Sequence, residues 1–172
     1  MNLIAALEKK HSVAIKNRIM KYVGTDPKRF RQLMELFAGD NPRHVQWAGW
    51  ALSDLVKVHP ELIKPYLRSL LKKLDTSAHI SVKRNVMRLL QFVDIPTTMA
   101  GLVFDKAFTL FTDPSESIAV KVFSMTALRK VAVAIPELKK EVIVVIEDQY
   151  EYGSAAFRSR ARRELKILRS KK

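Results

Sequence analysis

The 172-residue sequence contains no cysteine, only five glycines, and no uninterrupted apolar run of bilayer length. Without cysteine there are no disulfides, thiolate metal sites or cysteine nucleophiles. Five scattered glycines cannot build a phosphate-gripping loop, and no nucleophile-elbow motif occurs. The four histidines, at positions 11, 44, 59 and 79, fall at or near expected helix ends with no second ligand at a metal spacing. No metal and no cofactor is therefore expected. The longest apolar candidate, VAVAIPELKKEVIVVI, is interrupted by Pro136, Glu137, Lys139, Lys140 and Glu141, and a membrane span needs roughly 18 apolar residues. The opening MNLIAALEKKHSV has a five-residue apolar run, short for a secretory signal. The expectation is a soluble, cytoplasmic protein.

What is present is apolar and basic. Hydrophobic residues make up 48%, enough to bury a core in a chain of this length. Formal charge is +14, distributed as +5, +4, −1 and +6 over residues 1–50, 51–100, 101–150 and 151–172. A surplus of this size points to an anionic partner such as nucleic acid or an acidic protein segment.

Apolar residues recur at spacings of three and four, with almost no period-two alternation, so the chain reads as all-α. Breaks fall at His11-Ser12, Gly24-Thr25-Asp26-Pro27, Gly39-Asp40-Asn41-Pro42, His59-Pro60, Asp75-Thr76-Ser77, Asp94-Ile95-Pro96, Thr112-Asp113-Pro114, Ile135-Pro136 and Tyr152-Gly153-Ser154. Asp, Asn, Thr or Ser before a proline or an apolar run is a helix start. About ten helices result.

The helices repeat. VQWAGWALSDLV from Val45, VKRNVMRLLQFV from Val82, VKVFSMTALRKV from Val120 and FRSRARRELKIL from Phe157 begin 37, 38 and 37 residues apart. Their first position is apolar throughout. The fifth is Gly49, Val86, Ser124 and Ala161, and the twelfth is Val56, Val93, Val131 and Leu168. Asp40, Thr76 and Asp113 open the first three, and a second helix follows each proline, over 61–74, 97–111 and 137–149. In this register the basic terminus FRSRARRELKILRSKK is a fourth such helix, with Phe157, Ala161, Leu165 and Leu168 toward the core and the last few residues fraying.

This pattern resembles HEAT-type helical repeats, in which a turn Asp precedes a Val-Arg or Val-Lys pair and then a small residue. DPSESIAVKVFSMTAL is the best match; NPRHVQWAGWAL and TSAHISVKRNVMRLL are looser. The resemblance implies one domain over 1–172: a right-handed α-α superhelix of about five helix pairs with a concave face lined by second helices. The expected divisions are a degenerate pair at 2–23 and repeats at about 26–58, 60–93, 96–134 and 136–169. Lys83, Lys121 and Arg158, at the second position of their repeats, are expected to pair with a turn Asp or a neighbouring repeat.

One helix carries an unusual stripe. Arg43, Trp47, Trp50 and Asp54 share a face, opposite Val45, Ala48, Leu52 and Leu55. Two Trp beside a carboxylate forgo burial they could otherwise gain, unless the preceding helix pair covers them. Trp50-Ala51-Leu52-Ser53-Asp54 is similar to the Trp and Asp of the DNA-alkylation-repair glycosylases, which are themselves HEAT-like. That resemblance would make Asp54 the catalytic carboxylate and Trp50 a stacking residue. At the matching stripe positions of the next two repeats stand Arg84, Met87 and Gln91, then Val122, Met125 and Arg129, with no aromatic. In the same register Arg84, Arg129, Arg162 and Lys166 share that stripe, and Arg88 and Arg163 share a neighbouring row. Trp47, Trp50, Arg84, Arg88, Arg129, Arg158, Arg162 and Lys166 are the expected partner-binding residues of a non-catalytic scaffold.

Overall fold

The computed structural model describes residues 1–9, 12–75 and 80–170. His11, Thr76, Ser77, His79, Lys171 and Lys172, which enter the readings above, lie outside them. Among the described residues there are ten α-helices, two 3-10 segments and no strand. They form two compact units, residues 1–93 and 94–172.

The N-terminal unit contains α1 (Leu3–Leu7), α2 (Val13–Val23), α3 (Pro27–Ala38), α4 (Pro42–Val58), a 3-10 segment (Pro60–Tyr66), α5 (Leu67–Lys73) and α6 (Ile80–Leu90). Its starts follow the punctuation. Asp26 accepts from the amides of Lys28 and Arg29, and Asn41 from those of Arg43 and His44, each with proline at the next position. Gly24 closes α2 at φ +50°, a backbone state that glycine enters without steric cost. The hub is α4, which packs against α1, α2, α3 and α6. α3 packs on α4, and Phe30, Leu33 and Phe37 of α3 and Ala48, Leu52 and Val56 of α4 are buried in the core.

The α4–α6 contact explains the small fifth position. A Cβ on Gly49 would lie 2.5 Å from Asn85 Nδ2, 2.8 Å from its Cγ and 3.1 Å from Phe37 Cε2. Only glycine lets the two helices approach this closely.

In the C-terminal unit, α7 (Thr97–Thr112) and α8 (Ile118–Ala134) form an extensive pair. A 3-10 turn (Pro136–Leu138), α9 (Lys139–Asp148) and α10 (Ala155–Arg169) complete it. Like α4, α8 is a central helix, packed by α7, α9 and α10. Phe111 of α7 stacks on Phe157 of α10 at 5.9 Å. The basic terminus is thus a packed helix. Phe157, Ala161, Leu165 and Leu168 are buried as their spacing predicts, and Ser154 caps α10 by accepting from the Phe157 amide. The helix persists through Arg169, with Ser170 as its C-cap.

All four residues at the first, fifth and twelfth repeat positions are buried. Two of the second helices differ from the simple expectation. Residues 61–74 are not one α-helix: the 3-10 segment precedes α5 because Pro65 has no amide hydrogen for an α-helical ladder. Likewise 137–149 begins with a 3-10 turn before α9.

Candidate functional site

The stripe Arg43, Trp47, Trp50 and Asp54 is met by the end of α1 and by α2. Arg43 reaches past the end of α1, donating through Nε to Leu7 O at 3.3 Å and through a terminal nitrogen to Glu8 O at 2.7 Å and Lys9 O at 2.9 Å. It thereby serves carbonyls that a helix end leaves without partners. Its guanidinium lies 4.1 Å from the Trp47 ring centroid. Lys16 of α2 sits 4.9 Å from the Trp50 ring centroid and donates to Asp54 Oδ2. Arg88 of α6 stands 3.6 Å from Asp54 Oδ1. Asp54, with a side chain 25% exposed, therefore lies between two cations. Both Trp rings are half-buried, each with a cation on its face. Arg84 is exposed.

The C-terminal unit holds a denser charge cluster, centred on a residue the repeat register does not mark. Glu164 is buried, with 0% exposure. Its Oε1 accepts from Thr126 Oγ1 and from Arg163, both at 2.8 Å, and its Oε2 accepts from Arg129 Nε at 2.9 Å. Arg160 donates to Thr126 Oγ1 at 2.8 Å and lies 3.8 Å from the same carboxylate. Burial alone would push the Glu164 carboxyl up. Hydrogen bonds from Arg163, Arg129 and Thr126, with the charge of Arg129, outweigh it and hold the group below the usual carboxylate range. Arg160 is shifted down, first by burial and then by the neighbouring Arg163, with Glu164 acting in the opposite sense.

Sequence reasoning counted Arg129 as a strip residue and passed over Glu164 and Arg160. The signal was there: 157, 161, 164, 165 and 168 form one helical stripe, so the sole acid of α10 stood among core positions. Both units place a charge nine residues into a repeat, Asp54 after Val45 and Arg129 after Val120, and each is joined to the following repeat by an ion pair of opposite polarity.

The remaining expected residues are spread along α10. Arg158 is half-buried, Lys166 is exposed, and the exposed Arg162 donates to Tyr150 Oη at 3.1 Å. Tyr150, Arg162, Leu165, Lys166 and the Glu147–Arg169 pair line an open groove of about 830 Å³ between α9 and α10. Lys121 makes a hydrogen bond of 3.2 Å to Gln149 Oε1, and Gln149 in turn donates to Phe111 O, so its partner is an amide of α9's end and not the turn Asp113.

Paired helices with buried small positions and inter-repeat contacts agree with one family model, the HEAT repeat domain, which matches residues 3–168. The chain belongs to the HEAT repeat family. No curated protein and no solved structure matches it. The all-α solenoid class expected from the repeat pattern is the class of this HEAT repeat chain. As such it is a scaffold for interactions, built from helix pairs that bury their apolar stripes against their neighbours. None of its described helices is long and apolar enough to cross a membrane.

Proposed function

We propose that this HEAT repeat chain is a non-catalytic scaffold whose basic helix faces bind an anionic partner, with nucleic acid favoured over an acidic protein segment. The supporting observation is α10, which exposes Arg162, Arg163, Lys166 and Arg169 while its only acid, Glu164, is turned inward. Arg84 and Arg88 are the contribution of the N-terminal unit, and Arg129 and Arg158 belong with α10 in the C-terminal one. Nucleic acid is favoured because it offers a phosphate at every step to a helix with several outward cations. Trp47 and Trp50 have a lesser part in this reading, since each already carries a cation on its ring. Asp54 as a glycosylase carboxylate gains no support from its place between Lys16 and Arg88.

Fluorescence anisotropy with labelled DNA and RNA oligonucleotides tests the reading. With about six cations on phosphates, log affinity falls against log salt with a slope of about −5. A flat salt response, or no binding at about 50 mM salt, refutes it. Competition by polyglutamate equal to that by unlabelled oligonucleotide transfers the face to an acidic protein partner.

A further inference from the structure

We infer that Arg129, Arg160 and Arg163, gathered around Glu164, form a seat for one backbone phosphate of a single-stranded nucleic acid. The inference rests on the nucleic-acid reading above and assigns it a place. Three guanidinium groups converge on one carboxylate, a local surplus of two positive charges. Arg163 and Arg129 repel the charge of Arg160, and Glu164 attracts it. Like charges crowded to this degree attract a further anion.

The geometry selects phosphate. A guanidinium carries five N–H donors in a planar fork. Arg129 engages Glu164 through Nε, and Arg163 through one terminal nitrogen, so most donors on both remain available among the described residues. Glu164 is sealed beneath, while the side chains of Arg129 and Arg163 are 21% and 58% exposed. Several forks aimed at one place suit the many oxygens of a phosphate better than the two of a carboxylate. The buried Glu164 and Thr126 fix the forks in advance, which lowers the ordering cost of binding.

A polymer of phosphates fits better than a single phosphoryl group. From Arg158 to Arg169, α10 runs roughly 16 Å at 1.5 Å per residue, while successive phosphates of one strand advance about 3.4 Å along a helix axis. Arg162, Lys166 and Arg169 thus provide for further phosphates beyond the one at the seat. In the turn before α10, Tyr152 is 91% exposed, a free aromatic face of the kind on which unpaired bases stack.

The test uses the full chain with a fluorescein-labelled 20-mer oligothymidylate, together with the variants Arg163→Gln, Arg163→Lys and, as an exposed cation of the N-terminal unit, Lys57→Gln. Urea midpoints confirm that each is folded. The expected result is a loss of about tenfold for Arg163→Gln, with a salt slope smaller by about one. Arg163→Lys keeps the slope but loses the fork and falls in between, and Lys57→Gln changes affinity less than twofold. Wild-type binding with equal, small losses in Arg163→Gln and Lys57→Gln overturns the seat and leaves the broader reading standing. If the oligonucleotide does not bind at all, the nucleic-acid assignment is overturned, and sodium pyrophosphate decides the seat. A rise in Tm in the wild type that is absent from Arg163→Gln supports a phosphate seat for another bearer, such as a phosphopeptide, and no rise overturns it.

Discussion

Replacing Glu164 by Gln keeps the shape of the side chain and removes the charge that three arginines share. The carboxylate is sealed from solvent and accepts from Thr126, Arg129 and Arg163. Removing one partner of a buried ion pair costs about 3–5 kcal/mol, because the other charge is left unmatched. Here the unmatched groups are partly hydrated, Arg163 above all, and screening reduces the figure to about 2–3 kcal/mol. At a urea m-value of about 2 kcal/mol/M this is a fall in midpoint of roughly 1–1.5 M. Both Trp lie in the N-terminal unit, so indole emission follows that unit while far-UV circular dichroism follows all the helices. The fall is expected in the dichroism transition. The acid limb should change too. A carboxyl with a depressed folded-state pKa contributes stability that is fully present above its ordinary value of 4.5 and is lost as pH falls through the depressed value. Glu164→Gln should therefore flatten the wild-type loss of stability below about pH 4.5. A midpoint within 0.3 M of wild type, roughly 0.6 kcal/mol, together with an unchanged acid limb, would show that the carboxylate does not organise this cluster.

Three further outcomes follow from packing. Gly49→Ala gains up to about 1 kcal/mol of helix propensity, but its methyl meets Asn85 and the sealed Phe37, so overpacking prevails and stability falls by about 1–2 kcal/mol. Removing the amide as well, in Gly49→Ala with Asn85→Ala, should recover part of the loss in the same urea titration. Ser124 has a buried hydroxyl with no hydrogen-bond partner among the described residues, so Ser124→Ala should leave stability unchanged or raise it by about 1 kcal/mol, and a fall would show that the hydroxyl is engaged. Deleting residues 157–172 strips Phe157, Leu165 and Leu168 from the core at about 1.5–3 kcal/mol each. That is comparable to the whole stability of a typical domain, and scanning calorimetry should show the loss of a cooperative transition; an unchanged thermogram would mean that α10 is an accessory tail.

The helix boundaries and the core were legible because they depend on local chemistry. Asp26 before Pro27 and Asn41 before Pro42 start helices by giving their side chains to orphan amides, whatever the rest of the chain does. Val45, Val82, Val120 and Phe157 recur at one period because stacked helix pairs must bury the same face each time. The 3-10 segments Pro60–Tyr66 and Pro136–Leu138 depart from the expected second helices, the first because Pro65 has no amide hydrogen for the α-helical ladder.

The charged groups were less legible, since a charge's role is set by what lies across from it in space. Arg129 reads as a solvated strip residue until α10 places Glu164 against it, and Asp54 reads as a free carboxylate until Lys16 and Arg88 arrive from α2 and α6. By itself the sequence determined an all-α HEAT repeat chain with a basic last helix, because periodicity and capping are properties of neighbours along the chain. Tertiary structure alone decided which cations are neutralised and which remain in surplus, because an ion pair spanning 35 residues depends on a distance in space that no spacing along the sequence encodes.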